Sequence, residues 1–222
     1  MVPDKYALTR DEEDNLIEKN FAQLVYMAGK YEHLSTTLLD TQAILEDLSV
    51  AHVKPSEIQV VLNLKDAYRY AASFQRLEDI NFSVLLKINL LIKGAGAAEA
   101  GQIRTQDVIV PLSNETYQPV IPNKEQAEKD VQEILQGETT TTDKALTLML
   151  WLSRTQLFMD GNKRTAIVAA NVLMFADKRG LITVPENKMH WYSWQLQKYY
   201  KNGDTANLKH WLYDNAVFGI GA

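Results

Sequence analysis

The stretch QLFMDGNKRTA, residues 156–166, most constrains the fold, because it sets a charged, glycine-containing turn between two very apolar runs. Residues 145–152 (ALTLMLWL) precede it, and residues 165–176 (TAIVAANVLMFA) overlap its end. Helices that are hydrophobic on all sides belong in the middle of a domain. The charged side chains of the turn are therefore held near the interior, where charge is costly unless a partner such as a bound anion or metal ion is present.

The turn has the residue types of an anion site. Gly161 and Asn162 tolerate left-handed backbone geometry, so they turn the chain and direct successive amides into one concavity. Lys163 then opens a helix, whose first-turn amides and dipole receive phosphate well. Arg164 is able to fork onto phosphate oxygens, and Asp160 is a hard oxygen ligand for magnesium. Spacing alone leaves the alternative open that the turn is a helix cap followed by a solvated first turn.

The same turn carries a resemblance to a known family. It resembles the Fic (Fido) signature, His-x-Phe-x-Asp-Gly-Asn-(Gly or Lys)-Arg, at Phe158, Asp160, Gly161, Asn162, Lys163 and Arg164. Members of that family move a nucleotide monophosphate, usually AMP from ATP, onto a side-chain hydroxyl. The resemblance implies that Phe158 anchors the loop in the core and that Asp160 binds magnesium. It also implies that the Gly161 and Asn162 amides hold the phosphates and that Arg164 contacts the outer phosphates.

Two positions depart from that signature. Gln156 stands at the catalytic position of the family His, which takes the proton from the attacking hydroxyl, and a carboxamide has no useful basicity near neutral pH. Loss of a general base typically costs on the order of 100-fold to 10,000-fold in rate. Ile167 stands where many AMP-transferring members carry a second Arg, whereas Lys163 resembles the branch that includes Doc-type toxins.

The resemblance leads to four hypotheses of function, of which all but the last use the same turn. One is a protein adenylyltransferase that uses ATP and Mg to modify a Ser, Thr or Tyr hydroxyl. The second is a catalytically inactive nucleotide-binding regulatory module of the same fold, for which Gln156 is the positive evidence. The third hypothesis follows from the resemblance of Lys163 to the Doc-type branch, and it is phosphoryl transfer from a nucleotide bound in the inverted orientation. A helical scaffold with a vestigial motif is the last, and it leaves the charges of the turn without a partner.

Residues 1–34 are expected to form a helical extension, because acidic residues precede apolar residues at helical spacing. The end of this helix lies where the Fic family often carries an inhibitory (Ser/Thr)-x-x-x-Glu-(Gly/Asn) motif, whose Glu forms a salt bridge with the second Arg of the signature. Glu32 fits that motif, but Ala28 replaces the hydroxyl residue and His33 the last residue. Since Ile167 removes the Arg partner, an ordinary solvated glutamate is the alternative.

Residues 101–120 carry the clearest strand pattern, with β-branched residues on both sides of a polar turn. The Gly101-x-x-Arg104 sequence followed by a hairpin resembles the Fic flap, which holds a target segment by edge-strand pairing. Edge pairing reads backbone more than side chains, so it says little about which protein substrate or partner docks there. A hairpin without a role in binding is the alternative.

The whole chain is expected to form one domain over residues 1–222, a mostly α, Fic/Fido-type helical bundle with a small β-hairpin flap. A hydrophobic fraction of 46% is enough to bury a sizeable core. The net charge of −5 argues against nucleic-acid binding, and the absence of cysteine excludes disulfides and thiolate metal sites. No apolar run reaches the roughly 18 residues of a membrane span, so we expect a cytoplasmic protein without membrane contact.

An aromatic cluster lies near the C-terminus, at Trp191, Tyr192, Trp194, Tyr199 and Tyr200. Aromatic side chains dominate core packing, so the core is the first expectation for them. A subunit contact in a homo-oligomer is a second. The resemblance adds a third, because the region after the Fic signature helps to line the adenine pocket.

Overall fold

The structure is a computed structural model that describes residues 1–220, and within them the chain is mostly helical. Its helices are α1 (Arg10–Gly29), α2 (Leu38–Leu45), α3 (Pro55–Ala72), α4 (Phe82–Lys93), α5 (Lys124–Gln136), α6 (Thr141–Thr155), α7 (Asn162–Ala176), α8 (Glu186–Asn202) and α9 (Ala206–Ala216). Strands β1 (Val110–Pro111) and β2 (Thr116–Tyr117) form one antiparallel pair, and β3 (Leu181–Ile182) and β4 (Val217–Phe218) form another. The mostly α fold with a hairpin flap is confirmed.

Helix α7 is the centre of the core. Every residue of this helix except Lys163 is buried, as expected from its apolar sequence. Helix α6 packs along it, and α3, α4 and α1 cover its other sides. The two apolar runs that flank the motif are therefore the central helix pair, and the turn between them lies at one end of that pair.

Helix α1 brings the N-terminal region to the same end of the core. It begins at a capping box, in which the Thr9 side chain accepts from the Glu12 amide and the Glu12 carboxylate accepts from the Thr9 amide. The helix continues as a 3₁₀ turn over Lys30–Glu32 and stops at His33, whose φ of 55° is left-handed. Because the stop falls directly after Glu32, this carboxylate lies at the tip of the element.

Helix α8 divides the aromatic cluster between core and surface. Tyr192, Tyr199 and Tyr200 are buried, which confirms the core expectation for these three. For Trp191 and Trp194 that expectation is wrong, because these side chains are 38% and 47% exposed. An amphipathic helix has room for only part of a dense aromatic run on its buried face.

The second strand pair was not expected from the sequence. Leu181 pairs with Phe218 and Ile182 with Val217, so the end of the described chain returns to the segment after α7. Strands of two residues are too short to show an alternating pattern. None of the helices in residues 1–220 combines the length and the apolar character needed to cross a membrane.

Candidate nucleotide site

The motif loop begins and ends with left-handed backbone. Gln156 ends α6 with a φ of 49°, and Gly161 precedes α7 with a φ of 78°. A Cβ atom at position 161 would lie 3.3 Å from Asn89 Nδ2 and 3.3 Å from Ile92 Cγ2. Glycine is therefore required both by the backbone and by the close approach of α4.

Asn162 closes the loop from within. The Phe158 amide donates to Asn162 Oδ1 at 2.9 Å, and Asn162 Nδ2 donates to the Phe158 carbonyl at 2.8 Å. The Phe158 ring is 1% exposed and packs in the core. Since the side chain of Asn162 is used by the loop itself, only its backbone amide remains for a ligand.

Asn89 of α4 fixes the loop from outside. Its Nδ2 donates to the Asp160 carbonyl at 3.0 Å and to Thr165 Oγ1 at 3.2 Å. Its Oδ1 accepts from the Gly101 amide at 3.0 Å, so one buried amide joins α4, the motif loop and the start of the flap. The sequence analysis missed this residue; the only signal was a single asparagine among the apolar positions of α4.

Five charged side chains meet at the loop. The Lys93 ammonium contacts Asp160 Oδ2, and Arg164 Nη2 lies 3.6 Å from the same oxygen. Arg164 Nη2 also lies 2.8 Å from Glu32 Oε1. With the neighbouring Lys163, three cations face two carboxylates, so the cluster carries one excess positive charge. Lys93 was not identified from the sequence.

The charge states in the cluster follow from burial and hydrogen bonding. Burial by itself raises the pKa of Asp160, but hydrogen bonds from Lys93 and from the Gly161 amide outweigh it and hold that pKa below its usual value. The Asp160 carboxyl is therefore ionised at neutral pH. Burial lowers the pKa of the half-buried Lys163 ammonium, and the nearby Glu32 carboxylate opposes this shift.

Arg164 has an unused hydrogen-bond donor. Its side chain is only 4% exposed, and its Nε is buried without an acceptor among the residues that the structure describes. A buried donor left unpaired costs about 1–3 kcal/mol. The Gly161 cap also provides no side-chain acceptor for the first-turn amides of α7. Both observations favour an anion at this point, since it would accept from Arg164 and from the amides.

Glu32 forms its salt bridge with Arg164, which is the first arginine of the signature. The position of the second arginine is occupied by Ile167. Ile167 is 1% exposed and packs in the core. The Glu32 carboxylate instead pairs with Arg164, the residue that the resemblance assigns to the outer phosphates. The Glu32 side chain is 34% exposed and ion-paired, so it combines contact with solvent and contact with Arg164.

Gln156 bonds back through its side chain to the end of α6. Its side chain is buried, and its Nε2 donates to the Ser153 carbonyl at 2.6 Å, one turn back in α6. Its backbone carbonyl accepts from Arg104 Nε at 2.6 Å. Gln156 therefore completes the end of α6 and offers no basic atom to a hydroxyl group.

Arg104 joins the flap to the motif loop. This side chain is 2% exposed. Its Nη2 donates to the carbonyls of Val120 at 2.7 Å and Pro119 at 3.2 Å, and its Nε reaches Gln156. The Arg104 amide also donates to the Leu157 carbonyl at 3.0 Å. One residue thus connects both ends of the flap segment to the loop.

A cavity of about 370 Å³ opens beside this junction. It is lined by Gln102, Arg104, Gln106 and Met159 among others, so it lies between the start of the flap and the motif loop. Its size falls in the range of small-molecule sites. A larger cleft of about 920 Å³ lies between the start of α4 and α5, and no residue of the motif loop lines it.

The arrangement at Asp160 does not fit a magnesium ion. Its Oδ1 accepts from the Gly161 amide at 2.6 Å, and its Oδ2 is shared by Lys93 and Arg164. A metal ion at this carboxylate would need Lys93 to move.

Comparison with known proteins identifies the fold. Residues 79–174 match the model of the Fic/DOC family. Fic-1 from C. elegans superimposes with a TM-score of 0.75 and 23% identity, covering 93% of this chain and 66% of that chain. A variant of the same protein superimposes with a TM-score of 0.76 and 21% identity, covering 95% of this chain and 64% of that chain. The chain thus spans slightly less than two thirds of these C. elegans chains.

Two bacterial structures are similar as well. A Fic domain containing signaling protein from Bacteroides thetaiotaomicron gives a TM-score of 0.73 at 16% identity, with 86% of this chain and 75% of that chain covered. A Fic family protein from Desulfovibrio desulfuricans gives a TM-score of 0.69 at 14% identity, with 96% of this chain and 74% of that chain covered. No curated protein matches. Residues 79–174, which include the motif loop and the flap, therefore match the Fic/DOC family model, and the chain has the Fic fold.

Proposed function

We propose that the chain binds ATP or a related nucleotide at the motif loop and serves as a regulatory module of the Fic fold without a general base. The observation that carries this proposal is the buried Arg164 guanidinium, whose Nε has no acceptor in the described part of the chain. Lys93 and Lys163 flank it and leave the cluster with excess positive charge. A polyphosphate supplies both the missing acceptor and the missing negative charge.

Gln156 favours the inactive module over the transferase. Positioning of phosphates and removal of a proton are separate tasks, so a site is able to perform the first without the second. The Gln156 amide is committed to the Ser153 carbonyl and has no basic nitrogen. The loop is nonetheless fixed by Asn89 and Asn162 in a defined geometry, as a binding site requires.

Glu32 is the inhibitory element of this proposal. Its carboxylate occupies Arg164 Nη2, so it competes with a phosphate for the same donor. Nucleotide binding then requires the contact between Glu32 and Arg164 to open. A partner that moves the end of α1 would regulate the site.

Calorimetric titration with ATP tests the phosphate assignment. Arg164→Ala removes a charge-assisted fork, and we expect it to weaken ATP binding by about 10-fold to 100-fold. Glu32→Gln should tighten binding, because it removes the competing carboxylate. Arg76→Ala is the matched control, since Arg76 is exposed and pairs with Glu78 and Asp79 away from the motif loop. If Arg164→Ala and Arg76→Ala bind ATP with equal affinity, the assignment is wrong.

AMP transfer to a protein hydroxyl is the second candidate function. The observation that favours it is the link from the flap to the motif loop through Arg104, which would hold a docked segment against the nucleotide. Exposed apolar side chains, Ile109 at 64% and Val120 at 88%, flank the hairpin. A protein substrate or partner at residues 101–120 belongs to this proposal. Homo-oligomer formation and a cytoplasmic location stay predictions from the sequence.

A further inference from the structure

Lys93 takes the position at Asp160 that a divalent metal would need. It is the last residue of α4, and its ammonium contacts Asp160 Oδ2 directly. The side chain is only 20% exposed, so it is held by its surroundings and does not move freely in solvent. The C-terminal end of a helix carries partial negative charge, which further favours a cation there.

Both carboxylate oxygens of Asp160 already have a partner within the chain. Oδ1 accepts from the Gly161 amide, and Arg164 Nη2 lies 3.6 Å from Oδ2. Asn89, one turn before Lys93 in α4, fixes the Asp160 carbonyl at 3.0 Å. The backbone of Asp160 is thus held by the same helix that supplies the cation for its side chain, and removal of Lys93 would leave a partly buried carboxylate without its nearest counter-charge.

A lysine ammonium is able to do part of what a metal ion does in a nucleotide site. It is a compact positive charge with three donors, so it bonds a carboxylate and a phosphate oxygen at the same time. Lys93, Lys163 and Arg164 together supply three positive charges around the loop. Asp160 and Glu32 offset part of this charge, and displacement of Glu32 by a ligand leaves the three cations facing only the Asp160 carboxylate, so the excess positive charge attracts a polyphosphate without a metal ion.

We propose that Lys93 replaces the divalent cation in this site, so that a nucleoside triphosphate binds without magnesium. The proposal rests on the nucleotide binding proposed above. It assigns Asp160 a new task, which is to hold Lys93 and Arg164 in place. The ligand class is a free nucleoside polyphosphate, and the three cations bind its phosphates.

Titration of ATP by calorimetry, in EDTA and in MgCl₂ at matched ionic strength, tests this proposal. We expect the wild-type Kd values in the two buffers to agree within about threefold. Lys93→Met should weaken binding in EDTA by about tenfold or more, since a charge-assisted contact is lost, and magnesium should restore part of the loss. Lys93→Arg keeps the charge and should retain binding in EDTA. Lys87→Met, an exposed lysine of the same helix, is the control for general charge loss.

Each other outcome contradicts a different statement. Binding of ATP by the wild type only with magnesium would keep the nucleotide site and overturn the role of Lys93. Equal affinities of Lys93→Met and Lys87→Met in EDTA would overturn it too, and circular dichroism checks that both variants are folded. No binding in either buffer would overturn the proposed function and this inference with it.

Discussion

Gln156 is the residue on which the choice between the two proposed functions depends. Its position at the end of α6, with left-handed backbone and an Nε2 bond to the Ser153 carbonyl, makes it a helix-terminating residue. Histidine tolerates the same left-handed geometry and carries a titratable nitrogen near neutral pH. The backbone therefore accepts the residue that general-base chemistry requires, and only the side chain differs.

Gln156→His should create AMP transfer if the rest of the site is assembled. We expect an AMP-sized mass increase by intact mass spectrometry after incubation with ATP, with and without magnesium, because the general base contributes on the order of 100-fold to 10,000-fold. Gln156→Asn is the matched control, since it also tolerates left-handed backbone but has no base. Label on the asparagine variant or on the wild type would show that a base other than residue 156 acts in this site.

The sequence predicted the residues of the loop better than their partners. Phe158 and Asp160 lie within one window with fixed spacing, so a short motif is enough to find them. Lys93 and Asn89 lie about 70 positions earlier and belong to an amphipathic helix. In such a helix a terminal lysine is typical of a solvated side chain, and nothing local indicates the carboxylate that it meets.

The flap depends on contacts outside its own hairpin. Strands β1 and β2 have two residues each, and an isolated hairpin of this size is marginal in water. Gln197 Oε1 of α8 accepts from the Ser113 amide at 2.8 Å, and the Tyr117 ring stacks on Tyr200 at 5.3 Å between ring centroids. At the other end of the flap, Arg104 donates to the carbonyls of residues 119 and 120.

Arg104→Met should therefore loosen the flap and the motif loop together. Each buried carbonyl that loses its donor costs about 1–3 kcal/mol, so residues 117–121 and 156–158 should exchange amide hydrogens faster by about tenfold or more. Hydrogen exchange read by mass spectrometry measures this. Arg69→Met, at an exposed position of α3, is the control and should leave both segments unchanged. Faster exchange in the flap alone would contradict the link to the loop.

The helices could be predicted from the sequence because each has many apolar positions at helical spacing. The second strand pair could not be predicted in this way. Leu181 and Phe218 are joined across 37 positions by a two-residue ladder. Such a pair has no periodicity of its own, and its register depends on where α8 and α9 lead the chain. The pairing of β3 with β4 is therefore determined by tertiary packing, and a local sequence pattern does not predict it.

At the scale of the whole molecule, helix α1 contacts the fold at both of its ends: its start bonds the turn after α7, and its end leads to the motif loop. Glu13 near its start is fully buried, and its Oε2 accepts from the Gly180 amide at 3.0 Å in the turn after α7. Its Oε1 has no hydrogen-bond partner within residues 1–220. The far end of the same helix leads into the turn that carries Glu32. The position of α1 on the core therefore determines both the contact of Glu13 with Gly180 and the contact of Glu32 with Arg164.

Burial raises the pKa of Glu13 from 4.5 to about 7, and the bond from the Gly180 amide and the charge of Arg10 only partly offset it. The folded chain then binds more protons than the unfolded chain between these values, so this group's stabilising effect falls as pH rises from about 4.5 to about 7. Glu13→Gln, which mimics the protonated form, should gain about 1–3 kcal/mol over the wild type between pH 4.5 and pH 8. Urea unfolding at both pH values measures the difference, and Glu18→Gln, exposed on the same helix, should show none. If the two variants change equally with pH, the Glu13 carboxyl is not the group that titrates, and the docking of α1 does not depend on its proton.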